Sequence, residues 1–199
     1  RYMMREFTAV SLFCGAGGLD MGFHRAGYKT IWANDFDNDA CKTHRNWSKA
    51  NVVCGDISKV DYSAIPVSDV MLGGFPCQGF SMAGNRIVDD PRNSLYKELI
   101  EIVKTLQPRF VICENVKGLR SMLSGQVEQK ILSDFKSIGY EMSVTTLCAA
   151  DYYTPQKRER VIFIGNRIGA KNYHPKPILN ENEYVTTGQA ISSRLTVSQ

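Results

Sequence analysis

Short apolar runs alternate with stretches of helical period along most of this chain, and that alternation restricts its fold more than any other feature. Phe7 to Phe13, Lys29 to Ala33, Val52 to Cys54, Asp69 to Leu72 and Phe110 to Cys113 read as strands bounded by turn residues. Between them, Leu19 to Ala26 reads as a helix stopped by Gly27, and Asn38 to Trp47 as a second. Leu95, Leu99, Ile102, Val103 and Leu106 then share one helical face, as do Val127, Ile131, Leu132, Phe135 and Ile138. Two more strands follow near Glu141 to Cys148 and Val161 to Gly165. Such a series predicts an α/β domain over residues 1–167, with a mostly parallel twisted sheet covered by helices on both faces. Periodicity fades after Asn166, where Pro175 and Pro177 interrupt a polar stretch. Residues 168–199 therefore read as an irregular segment.

Composition excludes several classes. No apolar run approaches membrane-spanning length, and Arg1 to Arg5 lead straight into the first strand rather than into a signal-type segment. Six cysteines are widely scattered, with no C-x-x-C pair and no histidine in ligand spacing. That pattern argues against a zinc site or a disulfide framework and suits a reducing cytoplasm. His24, His44 and His174 read as surface or packing residues. A net charge of +4 is compatible with a nucleic-acid partner but too small to argue for one.

The loops after the strands carry the chemistry. Phe13-Cys14-Gly15-Ala16-Gly17-Gly18 joins the first strand to the first helix, where glycines permit a tight turn and close approach to a ligand. Asp35 ends the second strand about 20 residues on, the position from which a carboxylate reaches ribose hydroxyls. Asp56 follows the third strand. Asp20 stands where a dinucleotide fingerprint has its third glycine, which favours a ligand with no pyrophosphate. After the fourth strand, Gly73-Gly74-Phe75-Pro76-Cys77-Gln78-Gly79-Phe80-Ser81 displays a thiol in a polar, glycine-rich loop at a strand's carboxyl end. Proline fixes its own φ and pushes Phe75 toward extended backbone, which partly sets the approach of Cys77. Glu114-Asn115-Val116 follows the fifth strand, and Gln156-Lys157-Arg158-Glu159-Arg160 precedes the last.

These four motifs, in this order from Phe7 to Arg167, resemble the C5-cytosine DNA methyltransferases. The resemblance implies a Rossmann-like S-adenosylmethionine-dependent methyltransferase fold. It also implies S-adenosyl-L-methionine held by Phe13, Gly15, Gly17, Gly18, Asp35 and Asp56, with Asp56 on the adenine amino group. Some family members carry an acid where Ser11 stands. The thiolate of Cys77 would attack C6 of cytosine and turn C5 into a nucleophile. Glu114, protonated, would face N3 to stabilise the charge pushed onto the ring. Arg160 would point at O2, and Arg158 would support the nucleophile and the backbone.

Double-stranded DNA is the implied partner, with the target base rotated out of the stack and the loop from Ser81 to Asn93 closing over it. Ser81, Arg86 and Arg92 would then lie near phosphates. No metal and no membrane is implied. The family's target-recognition region and last two motifs are not found, although Thr196-Val197 matches a short piece of one. The chain thus reads as a catalytic half that needs a missing region or a second polypeptide, and is inactive or nearly so alone. Two other readings remain: an RNA C5-cytosine methyltransferase, and a non-catalytic nucleic-acid-binding relative.

Overall fold

The computed structural model describes residues 5–76 and 94–195. Seven strands form one sheet: β1 (Phe7–Leu12), β2 (Tyr28–Asp35), β3 (Asn51–Cys54), β4 (Val70–Gly73), β5 (Phe110–Val116), β6 (Glu141–Cys148) and β7 (Glu159–Asn166). Their order is β3-β2-β1-β4-β5-β7-β6. The strands from β3 to β5 are parallel, while β7 runs antiparallel to both β5 and β6. The helices are α1 (Gly18–Arg25), α2 (Asn38–Trp47), α3 (Ser94–Leu106), α4 (Gln126–Ser137) and α5 (Thr187–Leu195).

Strand alternation sends successive side chains to opposite faces, and the buried clusters follow it. Val10, Leu12, Met71, Val111, Cys113, Val161 and Phe163 pack with Leu99, Ile102 and Val103 of α3 and with Val127, Ile131 and Phe135 of α4. Ala9, Val70 and Leu72, of opposite parity, meet Leu19 and Phe23 of α1. Ala33 meets Cys41 of α2. The sheet is therefore covered on both faces, as its nearly continuous apolar strands require.

Three local readings change. Glu114 and Asn115 lie within β5 rather than after it, because pairing with β7 continues to Val116 opposite Arg160. Arg160 for the same reason belongs to β7 instead of preceding it. Residues 187–195, expected to be irregular, form α5. Its start is fixed locally, where the Gln189 side chain accepts from the Thr186 amide at 2.8 Å, and its weak apolar period leaves little trace in the sequence. The segment before it returns to β6 and the turn that follows. The Ser143 hydroxyl pairs with His174 Nε2 at 2.9 Å, and the Tyr184 hydroxyl donates to Asp151 at 2.5 Å. Among the described residues no helix is long and apolar enough to cross a membrane.

Candidate active site

The chain leaves β1 toward β2 on one side and later returns to β4 on the other, so the strand order reverses between β1 and β4. Ligands in open α/β sheets bind beyond the carboxyl ends of the strands at such a point. Both diagnostic loops start there: Phe13 to Gly17 from β1, and Gly74 to Pro76 from β4. The described chain stops at Pro76, so Cys77, together with Ser81, Arg86 and Arg92, lies outside the described residues, as do Thr196 and Val197.

The glycine loop is tightly held. The Gly15 amide donates to Asp35 Oδ2 at 2.8 Å, the Cys14 amide to the Asn34 carbonyl at 3.0 Å, and the Trp47 indole to the Ala16 carbonyl at 2.9 Å. Phe13, Gly15 and Gly17 all have positive φ, which for Phe13 is a strained conformation kept by its surroundings. The three glycines differ in kind. A Cβ on Gly17 would stand 2.4 Å from Trp47 and 2.5 Å from His44, whereas at Gly15 and Gly18 it would meet nothing within 4 Å. Gly17 is thus required by packing, and Gly15 and Gly18 leave space for a ligand.

Beneath the loop Asp20 is wholly buried. It accepts from Ser11 at 2.8 Å and Thr30 at 3.1 Å, with His44 Nε2 3.4 Å away. The Ser11 and Thr30 hydroxyls thus satisfy a carboxyl that has no access to solvent. His44 is accordingly a packing residue with a polar task.

Two cavities meet at Phe13. One, of about 420 Å3, is lined by Phe13, Asn34, Phe36, Asp56 and Leu95 among others. Asp35, between the lining residues Asn34 and Phe36, has both carboxylate oxygens engaged, Oδ2 by Gly15 and Oδ1 by the Asp37 amide at 2.9 Å. Each oxygen keeps a further lone pair for a hydroxyl. Asp56 accepts the Ser58 amide and hydroxyl on Oδ1 at 3.0 and 2.8 Å. Those bonds hold its carboxyl below the usual carboxylate range. The sequence reading passed over Phe36, whose ring is 78% exposed on this cavity. An aromatic directly after the strand-ending acid, in a polar turn, was the available signal.

The second cavity, of about 330 Å3, is lined by Ser11, Phe13, Gly18, Asp20, Gly74, Glu114 and Arg158 among others. Glu114 reaches it from β5 and pairs with Arg160, whose Nε lies 2.9 Å from Oε1. The antiparallel course of β7 makes this possible, since it puts the start of β7 beside the end of β5. Arg158 is exposed one step outward, and Arg160 is engaged with Glu114. Asn115 was quoted in a motif but given no task by the sequence reading. Its buried Nδ2 donates to the Phe75 carbonyl at 2.8 Å, fixing the backbone two residues before Cys77. Its signal was a polar side chain at the core parity of an apolar strand, in line with Val111 and Cys113. Cys113 itself is fully buried, and desolvation pushes its thiol well above the ordinary range, as befits an inert core thiol.

The family model for C-5 cytosine-specific DNA methylase matches residues 7–196. Type II methyltransferase M.NgoFVII of Neisseria gonorrhoeae is 41% identical over 195 residues, which cover 92% of this chain and 52% of that protein. Type II methyltransferase M.AquIA of Picosynechococcus is 38% identical, with 86% of this chain and 77% of that one covered. Among solved structures, a prophage-encoded Escherichia coli protein described as a DNA modification methyltransferase superposes with a TM-score of 0.76 at 30% identity, covering 93% of this chain and 54% of its own. The Dnmt2 methyltransferase of Schizosaccharomyces pombe, at 18% identity and a TM-score of 0.69, shares the fold. The chain thus spans about half the length of most of these relatives. With four motifs gathered at one switch point and a model matched from β1 to the last helix, this chain belongs to the C-5 cytosine-specific DNA methylase family.

Proposed function

We propose that this chain is the cofactor-binding and catalytic half of an enzyme that methylates C5 of cytosine in double-stranded DNA, inside the cell, as part of restriction-modification. The observation that carries the reading is the convergence of Phe13, Glu114 and Arg158 on one cavity, beside the loop that delivers Phe75 and Pro76 to Cys77. S-adenosyl-L-methionine fits the paired cavities and supplies an electrophilic methyl on a sulfonium. Phe36 offers a face for the adenine ring and Asp56 an acceptor for its amino group. Asp35 offers lone pairs to the ribose hydroxyls, and the open positions at Gly15 and Gly18 admit the methionyl end, whose carboxylate is suited to amides at the start of α1.

On the DNA side, Cys77 attacks C6 of a flipped cytosine as a thiolate. Glu114 presents a proton toward N3 while Arg160 donates toward O2, and Arg158 supports the nucleophile and the backbone. Asn115 holds the Phe75 backbone that leads toward Cys77. Recognition of a particular sequence is left to a further segment or a second polypeptide.

Trapping on DNA containing 5-fluorocytosine tests this, with the recognition region supplied. The fluorine cannot leave as the C5 proton does, so a covalent complex should accumulate with the wild type and not with Cys77→Ser. Equal trapping of both proteins refutes the assignment. Titration calorimetry with S-adenosylhomocysteine tests the cofactor cavities separately.

A further inference from the structure

The ends of β2 and β3 carry a second set of reactive groups that takes no part in this chemistry. Asp35 and Cys54 are register partners on adjacent strands. Cys41, on α2, is wholly buried against Ala33 and Val52 beside that strand end. Its Sγ donates to the Asp35 carbonyl at 3.3 Å, and the Cys54 Sγ donates to the Phe36 carbonyl at 3.9 Å. Consecutive carbonyls of one chain segment, those of Asp35 and Phe36, therefore hold both sulfurs. Their access to solvent differs sharply, because Cys54 is exposed and Cys41 is not. The receiving residues adjoin the cofactor cavity, which Phe36 lines. The Asp35 carboxylate holds the Gly15 amide, and the Phe36 ring lines the wall shared with Asp56, two residues beyond Cys54.

We propose that Cys41 and Cys54 form a peroxide-oxidisable thiol pair whose disulfide weakens the hold of the adjoining cavity on adenosine. The effect on the cofactor rests on the function proposed above, whereas the pairing stands without it. Oxidation begins at Cys54, the sulfur a peroxide can reach. Its thiolate attacks one peroxide oxygen and breaks the O–O bond, leaving a sulfenic acid and hydroxide. That hydroxide takes the proton of Cys41, whose sulfur then displaces a second hydroxide from the sulfenic sulfur of Cys54. The new S–S bond accounts for the two electrons lost by the thiols. The peroxide, with the two thiol protons, ends as two waters. Burial, with Cys54 alongside, pushes the Cys41 thiol up to about 11. Cys41 therefore waits as a resolving thiol and does not react first. Closing the bridge removes both S–H donors from the Asp35 and Phe36 carbonyls and draws α2 against β3. The carboxylate that orders the glycine loop and the ring that faces the cavity then shift together.

Mild peroxide treatment followed by alkylation and tryptic mapping tests the pairing. Cleavage at the flanking lysines leaves Cys41 in residues 30–42 and Cys54 in residues 50–59. The expected product is these two peptides joined, two hydrogens lighter than their sum and separated by dithiothreitol. Affinity for S-adenosylhomocysteine should fall by about tenfold on oxidation and return on reduction. Cys54→Ser should neither cross-link nor lose affinity, and Cys41→Ser should stop at a dimedone-reactive sulfenic acid on Cys54. Sulfinic acid at Cys54 with Cys41 still alkylatable overturns the pairing. A complete cross-link with unchanged affinity overturns the effect on the cavity. Failure of the reduced chain to bind S-adenosylhomocysteine counts against the cofactor reading alone, since the joined peptide still decides the chemistry of the thiols.

Discussion

Gly17 and Gly18 are neighbours in one motif, yet the structure gives them opposite vulnerabilities. Gly17 has φ +88°, a region that costs an alanine about 1–2 kcal/mol. Its added Cβ would also meet Trp47 Cζ2 at 2.4 Å and His44 Cδ2 at 2.5 Å, and overpacking of that kind costs about 1–3 kcal/mol. Neither ring can retreat freely. The Trp47 indole holds the Ala16 carbonyl at 2.9 Å, and His44 Nδ1 is paired with the Ser48 hydroxyl at 2.9 Å while its other nitrogen faces Asp20. Gly17→Ala should therefore cost about 2–5 kcal/mol. Gly18 lacks positive φ, opens α1, and has nothing within 4 Å of its would-be Cβ. Gly18→Ala should leave stability unchanged or raise it by up to about 1 kcal/mol. It should nonetheless lower affinity for S-adenosylhomocysteine, because its methyl enters the cavity it lines. Urea unfolding followed by tryptophan fluorescence reads the first effect, and calorimetry the second. Equal stability losses at the two positions would show that the loop is shaped by its ligand rather than by His44 and Trp47.

Asn115→Ala should cost about 1–3 kcal/mol by removing the amide that donates to the buried Phe75 carbonyl, and should lower kcat more than cofactor affinity, as steady-state kinetics would show. Ser58→Ala should raise the Asp56 titration midpoint read by carboxyl NMR. The Ser58 bonds depress the folded value, so their stabilisation is present above the ordinary carboxylate range and fades as pH falls through the depressed value. The gap in stability between wild type and variant should accordingly vanish in acid. Glu114→Gln in the complemented enzyme should retain DNA binding in a mobility-shift assay but lose about 100-fold or more in single-turnover rate. The 199-residue chain alone should bind DNA weakly, more weakly still at higher salt, with no sequence-specific methylation in a restriction-protection assay. Robust methylation would show that recognition resides within this chain.

Local signals made much of this molecule legible. Asn38–Trp47 is read with its observed bounds because Asp37 caps it, accepting the Ala40 amide at 2.7 Å, and Glu141–Cys148 because its alternation begins just after a glycine turn. The glycine loop and its strand-ending acids are equally local. What escaped was set by contacts distant in sequence. The extension of β5 through Glu114 depends on pairing with β7, and the task of Asn115 on a carbonyl in another loop. The six cysteines look scattered along the chain, but β2, β3 and α2 bring Cys41 and Cys54 to the same strand end. The weakly apolar period of α5 gives no core face to detect, and its first turn is fixed by Thr186 and Gln189 instead.

The pairing of Glu114 with Arg160 has a consequence for the proposed reaction. N3 and O2 are neighbouring atoms on one edge of cytosine, and both gain electron density when a thiolate adds at C6. A carboxyl and a guanidinium held 2.9 Å apart on adjacent strands set two polar groups side by side. Their separation matches that edge, and the pair has to exchange its mutual contact for the base when the base arrives. The two groups are joined by the backbone ladder between β5 and β7, in which Val116 faces Arg160, so their spacing is set by the sheet rather than by loop conformation. The backbone at Phe75, two residues before the proposed nucleophile Cys77, is anchored to the same strand through Asn115. One strand, β5, therefore carries Glu114 directly, meets Arg160 through its neighbouring strand and ties down the Phe75 backbone through an amide. A single-residue slip in its pairing with β7 would reverse every side chain on the slipped strand and dismantle all three relationships together.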